Sequence, residues 1–295
     1  MNLENVTCII CNSKNYINFL DVQNRFELTE SYKLVKCGCG LIFLNPRPPE
    51  SEIYKFYKNN NYDPHIKKKK NYIFDTIYTL IKKRAFKRKF KIISKFLSIE
   101  DNQTHIDIGG GMGEFCDFIK NKGFLTKNYD SSQIALKISE SNKIDTITSL
   151  NHIESNSIDC ITAWHSIEHI HSIDSLFKNI QRVLKKEKYL FLCVPNYNSI
   201  DQQFFKKKWV AWDAPRHLYH FNPDVLKKLL ENYKFKVVYN ESLLQDTGYN
   251  ILMSINKNSI LSFMNSLLIL IYAYIQIFIY GYKKSSSFIV VCQKQ

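Results

Sequence analysis

The stretch His105-Ile-Asp-Ile-Gly-Gly-Gly-Met-Gly-Glu114 constrains this chain more than any other. A short apolar run around Asp107 passes directly into glycines at 109, 110, 111 and 113. It reads as a buried strand, a turn favouring residues without a Cβ, and a helix start. That sequence of elements lets backbone approach a nucleotide-like cofactor. The spacing excludes two common cradles. A nicotinamide or flavin fingerprint needs glycine where Glu114 stands, and a phosphate-binding loop needs a Lys-Ser or Lys-Thr pair that is missing.

Strand–helix alternation surrounds this turn. The pattern predicts strands near 104–108, 125–129, 145–148, 158–164, 189–194, 236–240 and 287–292. It predicts helices near 114–122, 132–141, 173–184 and 223–232, with Gly123 capping the first. The last has a clear start: Asn222 as cap, Pro223 at the first helical position and Asp224 beside it. Such alternation implies a mainly parallel sheet covered on both faces, a doubly wound, Rossmann-like α/β fold. An apolar content of 45% against 23% charged residues in 295 supports a globular chain with a real core.

Residues 1–50 have a different character. Cys8-Ile-Ile-Cys11 and Cys37-Gly-Cys39 offer four thiolates at the spacing of a small Zn²⁺-stapled module. The second pair is CxC rather than CxxC, so a metal-free remnant and a redox pair stay open. The prolines of Leu44-Asn-Pro-Arg-Pro-Pro49 mark a boundary. The N-terminus has no basic start and no apolar run, which predicts a reducing, cytoplasmic setting. There Cys116, Cys160, Cys193 and Cys292, each in an apolar context, read as core residues.

Residues 51–98 read as a basic helical segment. Ile73, Ile77, Leu80, Ile81, Phe86, Phe90, Ile93 and Leu97 form one stripe, with Lys82, Lys83, Arg84, Lys87, Arg88, Lys89 and Lys91 between its members and Lys67–Lys70 before it. The formal charge of +14 suggests an acidic partner, although Lys, Asn and Ile dominate together as A/T-rich coding would produce. The basic face is either solvated or meets anionic lipid or polyphosphate.

The run Asp107-x-Gly109-x-Gly111-x-Gly113, followed by Asp130 at the end of the second strand, resembles motif I of class I S-adenosylmethionine-dependent methyltransferases. Ile158-Asp-Cys-Ile-Thr-Ala-Trp-His-Ser-Ile-Glu-His169 resembles the fourth-strand motif of the same superfamily. Trp209-Val-Ala-Trp-Asp-Ala-Pro-Arg-His-Leu-Tyr-His-Phe221, with the N-terminal Cys pairs, resembles a bacterial group often found with surface-polysaccharide genes. The resemblance implies a seven-stranded sheet with an antiparallel last strand and S-adenosylmethionine as cofactor. It implies cofactor contacts from Asp107, Gly109, Gly111, Gly113, Asp130, Trp164 and His165, with Asp107 near the ammonium and Asp130 on the ribose hydroxyls. No acid follows the third strand, so Ser149 and Leu150 would meet the adenine through backbone. The domains are then 1–50, 51–98 and 99–295, the last with insertions at 196–222 and 250–284.

His165-x-x-Glu168-His169 also spells an inverted zincin motif, which would have to lie within a helix rather than close a strand. Related O-methyltransferases place a divalent ion on this loop, a weaker expectation here because His165 replaces a carboxylate. On the acceptor side stand Arg216, His217, His220, Trp209, Trp212 and Asp213. Arg216 suits a carboxylate or phosphate. If the acceptor is a hydroxyl or carbon acid, His217 is the preferred base, with His165 and His220 behind it. The alternative is that Asp213 and Arg216 pair to lock the loop while the imidazoles only pack.

Residues 258–282 carry no charge and are long enough to span a bilayer. A single crossing would separate the final strand from its sheet. The segment therefore reads as membrane-surface docking, a buried helix or an oligomer contact. The expected function is methyl transfer to a small-molecule, sugar or lipid-linked glycan acceptor, on the inner membrane face if the segment docks there. An RNA methyltransferase and a non-catalytic membrane scaffold are the alternatives.

Overall fold

The computed structural model describes residues 2–25, 30–57, 72–98, 102–255 and 260–295, without the side chains of 72–78 and 260–262. The basic run Lys67–Lys70 and the stripe side chains of Ile73 and Ile77 lie outside that description.

In chain order the elements are β1 (Tyr16–Gln23), β2 (Ser31–Cys37), β3 (Ile42–Leu44), α1 (Glu50–Ile53), α2 (Tyr72–Ile93), β4 (Thr104–Ile108), α3 (Glu114–Lys120) and β5 (Leu125–Tyr129). Then follow α4 (Gln133–Ser141), β6 (Asp145–Ile147), β7 (Ile158–Trp164), α5 (Ile173–Val183), β8 (Leu184–Pro195) and α6 (Ile200–Phe205). The chain ends with β9 (Tyr219–His220), α7 (Pro223–Asn232), β10 (Phe235–Ser242), α8 (Leu244–Ser254), α9 (Ile260–Tyr280) and β11 (Ser287–Lys294). The seven-stranded sheet has the order β10-β11-β8-β7-β4-β5-β6, mostly parallel with an antiparallel C-terminal strand. The alternation fixed this fold class, and α7 starts as its sequence demands: Asn222 accepts from the Val225 amide at 2.8 Å.

The chain forms two compact units. One comprises Lys58–Trp164, Lys178–Phe191 and Gln293–Gln295. Here β4 lies between β5 and β7, parallel to both, with Asp107 level with Asn128 and Thr162. Every residue of β7 is buried, as an inner parallel strand requires. The α2 stripe divides within its described side chains. Phe86 and Phe90 pack on Phe115 and Phe118, and Ile93 and Leu97 are buried. Leu80 and Ile81, however, are about half exposed, at 49% and 51%. A helix outrunning the element it packs on leaves apolar residues in solvent, which periodicity alone does not reveal.

The other unit comprises Met1–Tyr57, His165–Phe177 and Leu192–Cys292. Its four-stranded sheet runs β1-β2-β3-β9, so the fourth strand comes from Tyr219–His220, far along the chain. Phe43 pairs with Tyr219 and Ile42 with His220. Arg47 ties the same strand down, its Nη1 donating to the Tyr219 hydroxyl at 2.8 Å and its Nε to Glu4 at 2.8 Å. In the same unit α9 is one continuous helix. Ala273 and Ile277 are buried, and Ala273 clusters with Ile200 and Ile251. Leu268, Ile271, Ile275 and Phe278 are exposed, Phe278 by 92%.

Candidate active site

The cradle is built from the glycine turn outward. Gly109, Gly111 and Gly113 have φ of 70°, 55° and 76°, a region that strains other residues. Gly113 is doubly constrained, since a Cβ there would lie 2.3 Å from Ser139 Oγ. At Gly111 a Cβ would meet nothing within 4 Å, so that face of the turn is open. Side chains from β5 and its end fix the turn from behind. Asn128 Nδ2 donates to the Gly111 carbonyl at 2.7 Å and to Ser139 Oγ at 3.2 Å. Asp130 accepts the Gly111 amide at 2.9 Å through one oxygen and the Ser132 amide at 2.8 Å through the other.

Beneath the turn runs a buried polar chain. Thr126 lies 2.8 Å from His105 Nδ1, and His105 Nε2 lies 2.9 Å from Thr162 Oγ1. Thr162 donates its hydroxyl to Asp107 Oδ1 at 2.5 Å. That donation makes Thr162 the acceptor from His105 Nε2–H, so Nδ1 accepts from Thr126. Burial pushes His105 down to about 3, keeping it neutral. Burial pushes Asp107 up to about 6, partly offset by the Thr162 hydroxyl. Asp107 is thus an acid poised to gain from a nearby cation. Trp164, at the end of β7, is 9% exposed with its indole N–H unpartnered. Its ring meets the Phe115 edge, and the Lys89 ammonium lies 4.6 Å from the ring centre. The structure brings together Asp107, the glycines and Asp130, which the sequence singles out, with Asn128, Thr162 and Ser139, which it does not. Asn128 and Thr162 lie level with Asp107 on β5 and β7, a relation that only strand register supplies.

The other unit holds the remaining candidates. His217 Nδ1 lies 2.8 Å from the Ala211 carbonyl, which makes it the donor and leaves Nε2 unprotonated in the neutral ring. Nε2 is 3.8 Å from Asp213. Asp213 also pairs with Arg216, which is 1% exposed. Burial opposes the Asp213 charge, but His217 and Arg216 outweigh it and hold its carboxyl below the usual range. His169 lies 4.5 Å ring to ring from His217, and burial together with the His217 charge lowers it to about 4. His220 packs on Trp212 and is buried, which drives its pKa far down. His165 follows β7 with φ of 53°. Its side chain is 36% exposed and contacts Cys193, Asp246 and Glu168. The segment Ile167–His169 is a single 3₁₀ turn after a strand, which rules out a helical zincin motif.

The four N-terminal cysteines converge. Cys8 and Cys39 sulfurs are 3.5 Å apart, Cys11 and Cys37 sulfurs 3.4 Å, and all four lie within 4.8 Å of one another. Four thiolates about 2.3 Å from a tetrahedral ion are separated by about 3.8 Å, so this donor set fits zinc.

No curated protein matches the sequence. The fold compares with several solved structures at low identity. Phosphoethanolamine N-methyltransferase 2 of Haemonchus contortus, in complex with S-adenosyl-L-methionine, has 16% identity and a TM-score of 0.50 over 70% of this chain. The chain spans only 52% of that enzyme's length. An S-adenosylmethionine-dependent methyltransferase of Archaeoglobus fulgidus has 18% identity and a TM-score of 0.51, covering 72% of this chain and 94% of its own. These likenesses establish the fold. A family model described as a methyltransferase domain matches residues 81–240, which include the whole glycine cradle, Trp164 and the Trp209–Phe221 loop. Over more than half its length, then, the chain belongs to the methyltransferase domain family.

Proposed function

We propose that this protein transfers a methyl group from S-adenosylmethionine to a small-molecule acceptor, a sugar or lipid-linked glycan hydroxyl being the preferred class. The observation that carries the reading is the glycine turn, clamped from behind by Asn128 and Asp130 and open at Gly111. Asp107 would meet the cofactor ammonium, and Asp130 retains lone pairs for the ribose hydroxyls. Bound there, S-adenosylmethionine supplies a methyl group already activated by its sulfonium. The protein's task is then alignment and exclusion of water.

A hydroxyl acceptor must also lose its proton. His217 is oriented for this by the Ala211 carbonyl, and Asp213 would stabilise the imidazolium formed. Radiolabelled methyl transfer onto glycan, lipid and RNA fractions tests the acceptor class; label entering RNA alone would overturn it. His217→Ala is expected to lose turnover while retaining cofactor binding. Full turnover at saturating cofactor would remove the base assignment.

The cysteine cluster supports a structural zinc ion at Cys8, Cys11, Cys37 and Cys39. The exposed apolar row of α9, with Lys283 and Lys284 just beyond it, supports peripheral contact with an anionic membrane. Flotation with anionic vesicles tests this contact, and Leu268→Glu with Phe278→Glu should abolish it.

A further inference from the structure

We propose that His165, Cys193 and Asp246 form a second metal site, for a transition ion of the zinc class, with Glu168 orienting the histidine. The three residues come from the loop after β7, from β8 and from α8. Cys193 Sγ lies 3.3 Å and Asp246 Oδ2 2.9 Å from the same ring nitrogen, His165 Nε2. All three donor atoms lie within 4.8 Å of one another.

Nε2 carries at most one proton for these two neighbours. If Nε2 carries its proton it donates well to one of them only. If it is bare it accepts from the thiol but faces the carboxylate lone pairs unpaired. A cation at the point where the three donor atoms converge engages all of them at once. A tetrahedral zinc-class ion would separate nitrogen from oxygen by about 3.3 Å and nitrogen from sulfur by about 3.6 Å, a small opening of the observed arrangement.

A second observation points the same way. Glu168 is 0% exposed, and both its carboxylate oxygens lack a hydrogen-bond partner. Its Oε1 stands 3.5 Å from His165 Nδ1, and the carboxylate also comes within 4.8 Å of His169 and His217. Metal-binding histidines characteristically present their second ring N–H to a carboxylate of this kind. Coordination through Nε2 fixes the proton on Nδ1 and gives that buried charge its donor. The backbone reinforces the pair, because the His165 amide donates to the Cys193 carbonyl at 2.9 Å. The left-handed φ of His165 is a local strain of the kind that functional sites retain.

The mixed sulfur, nitrogen and oxygen set suits zinc, cobalt or ferrous iron rather than magnesium or calcium. Side-chain exposures of 36% at His165 and 20% at Asp246 leave a coordination position toward solvent for water or a ligand oxygen.

The experiment uses the full chain, stripped with chelator and titrated with Co²⁺ and Zn²⁺. Metal per chain is read by mass spectrometry and site geometry by the visible cobalt spectrum. Asp246→Asn and Cys193→Ser should each lower the bound metal by one equivalent relative to wild type and remove the same cobalt component. Cys292→Ser, a buried cysteine elsewhere, should change neither. Glu168→Gln should weaken this site roughly tenfold or more without changing its ligands. If Cys193→Ser fails to fold, the partly exposed Asp246→Asn still decides. Unchanged stoichiometry and an unchanged cobalt spectrum in Asp246→Asn would overturn the proposal and leave a hydrogen-bonded trio.

Discussion

The glycine cradle and the histidine loop solve opposite problems. The cradle is shaped by backbone: three glycines at positive φ, held from below by Asn128, Asp130 and a chain running from neutral His105 through Thr162 to Asp107. The loop is shaped by side chains, with Asp213, Arg216, His217 and His169 packed as buried charges and rings. A backbone surface suits a ligand that is met through main-chain groups. A side-chain surface can be rewritten residue by residue, which suits the variable acceptor proposed for this loop.

The contrast yields predictions that break it at one end or the other. The largest effect is expected on the side-chain end. Asp213→Ala leaves the Arg216 guanidinium buried without its carboxylate, at a cost of about 3 kcal/mol or more. Thermal unfolding should show that loss, while cofactor affinity, measured calorimetrically on the folded fraction, stays near wild type. On the backbone end Gly113→Ala combines a positive φ with a clash against Ser139 and should cost about 2 kcal/mol. Here cofactor binding should fall sharply. Gly113→Ala with Ser139→Gly should recover only the part due to the clash.

The Asp107 carboxyl sharpens the comparison through pH. Its folded pKa of about 6 stands above the ordinary value of 3.8. The fold therefore favours its protonated form more than the unfolded chain does. That stability is fully present below about pH 4 and is lost as pH rises through 6. Cofactor affinity should move the other way, strengthening through the same window as the ionised carboxylate meets the ammonium. Asp107→Asn should flatten both profiles, and an unchanged affinity profile would separate Asp107 from the ammonium. The smallest effect is expected at Lys89→Ala, which removes a cation from the Trp164 ring and should cost under about 1 kcal/mol.

Legibility in the sequence followed the range of the interaction. The helix at Pro223–Asn232 is written locally, in its cap and its proline. The strand β8 is less so: it begins at Leu184, earlier than its apolar core suggests, because Lys185 and Lys188 line its start and pair with Asp159. Nothing in Tyr219-His220 announces the fourth strand of a sheet whose other members lie before residue 45. The α2 stripe shows the converse. Among its described side chains, Leu80 and Ile81 stay about half exposed while Ile93 and Leu97 are buried.

What the sequence determined by itself is the strand–helix alternation from Thr104 to Val194 and the glycine turn within it, since both rest on φ restrictions and periodicities that act over a few residues. What the tertiary structure decided is which polar groups meet. Asp107 reaches Thr162 through strand register, and His165 reaches Cys193 and Asp246 through three separate elements. Such pairings depend on packing between distant segments, and no local pattern in the chain encodes them.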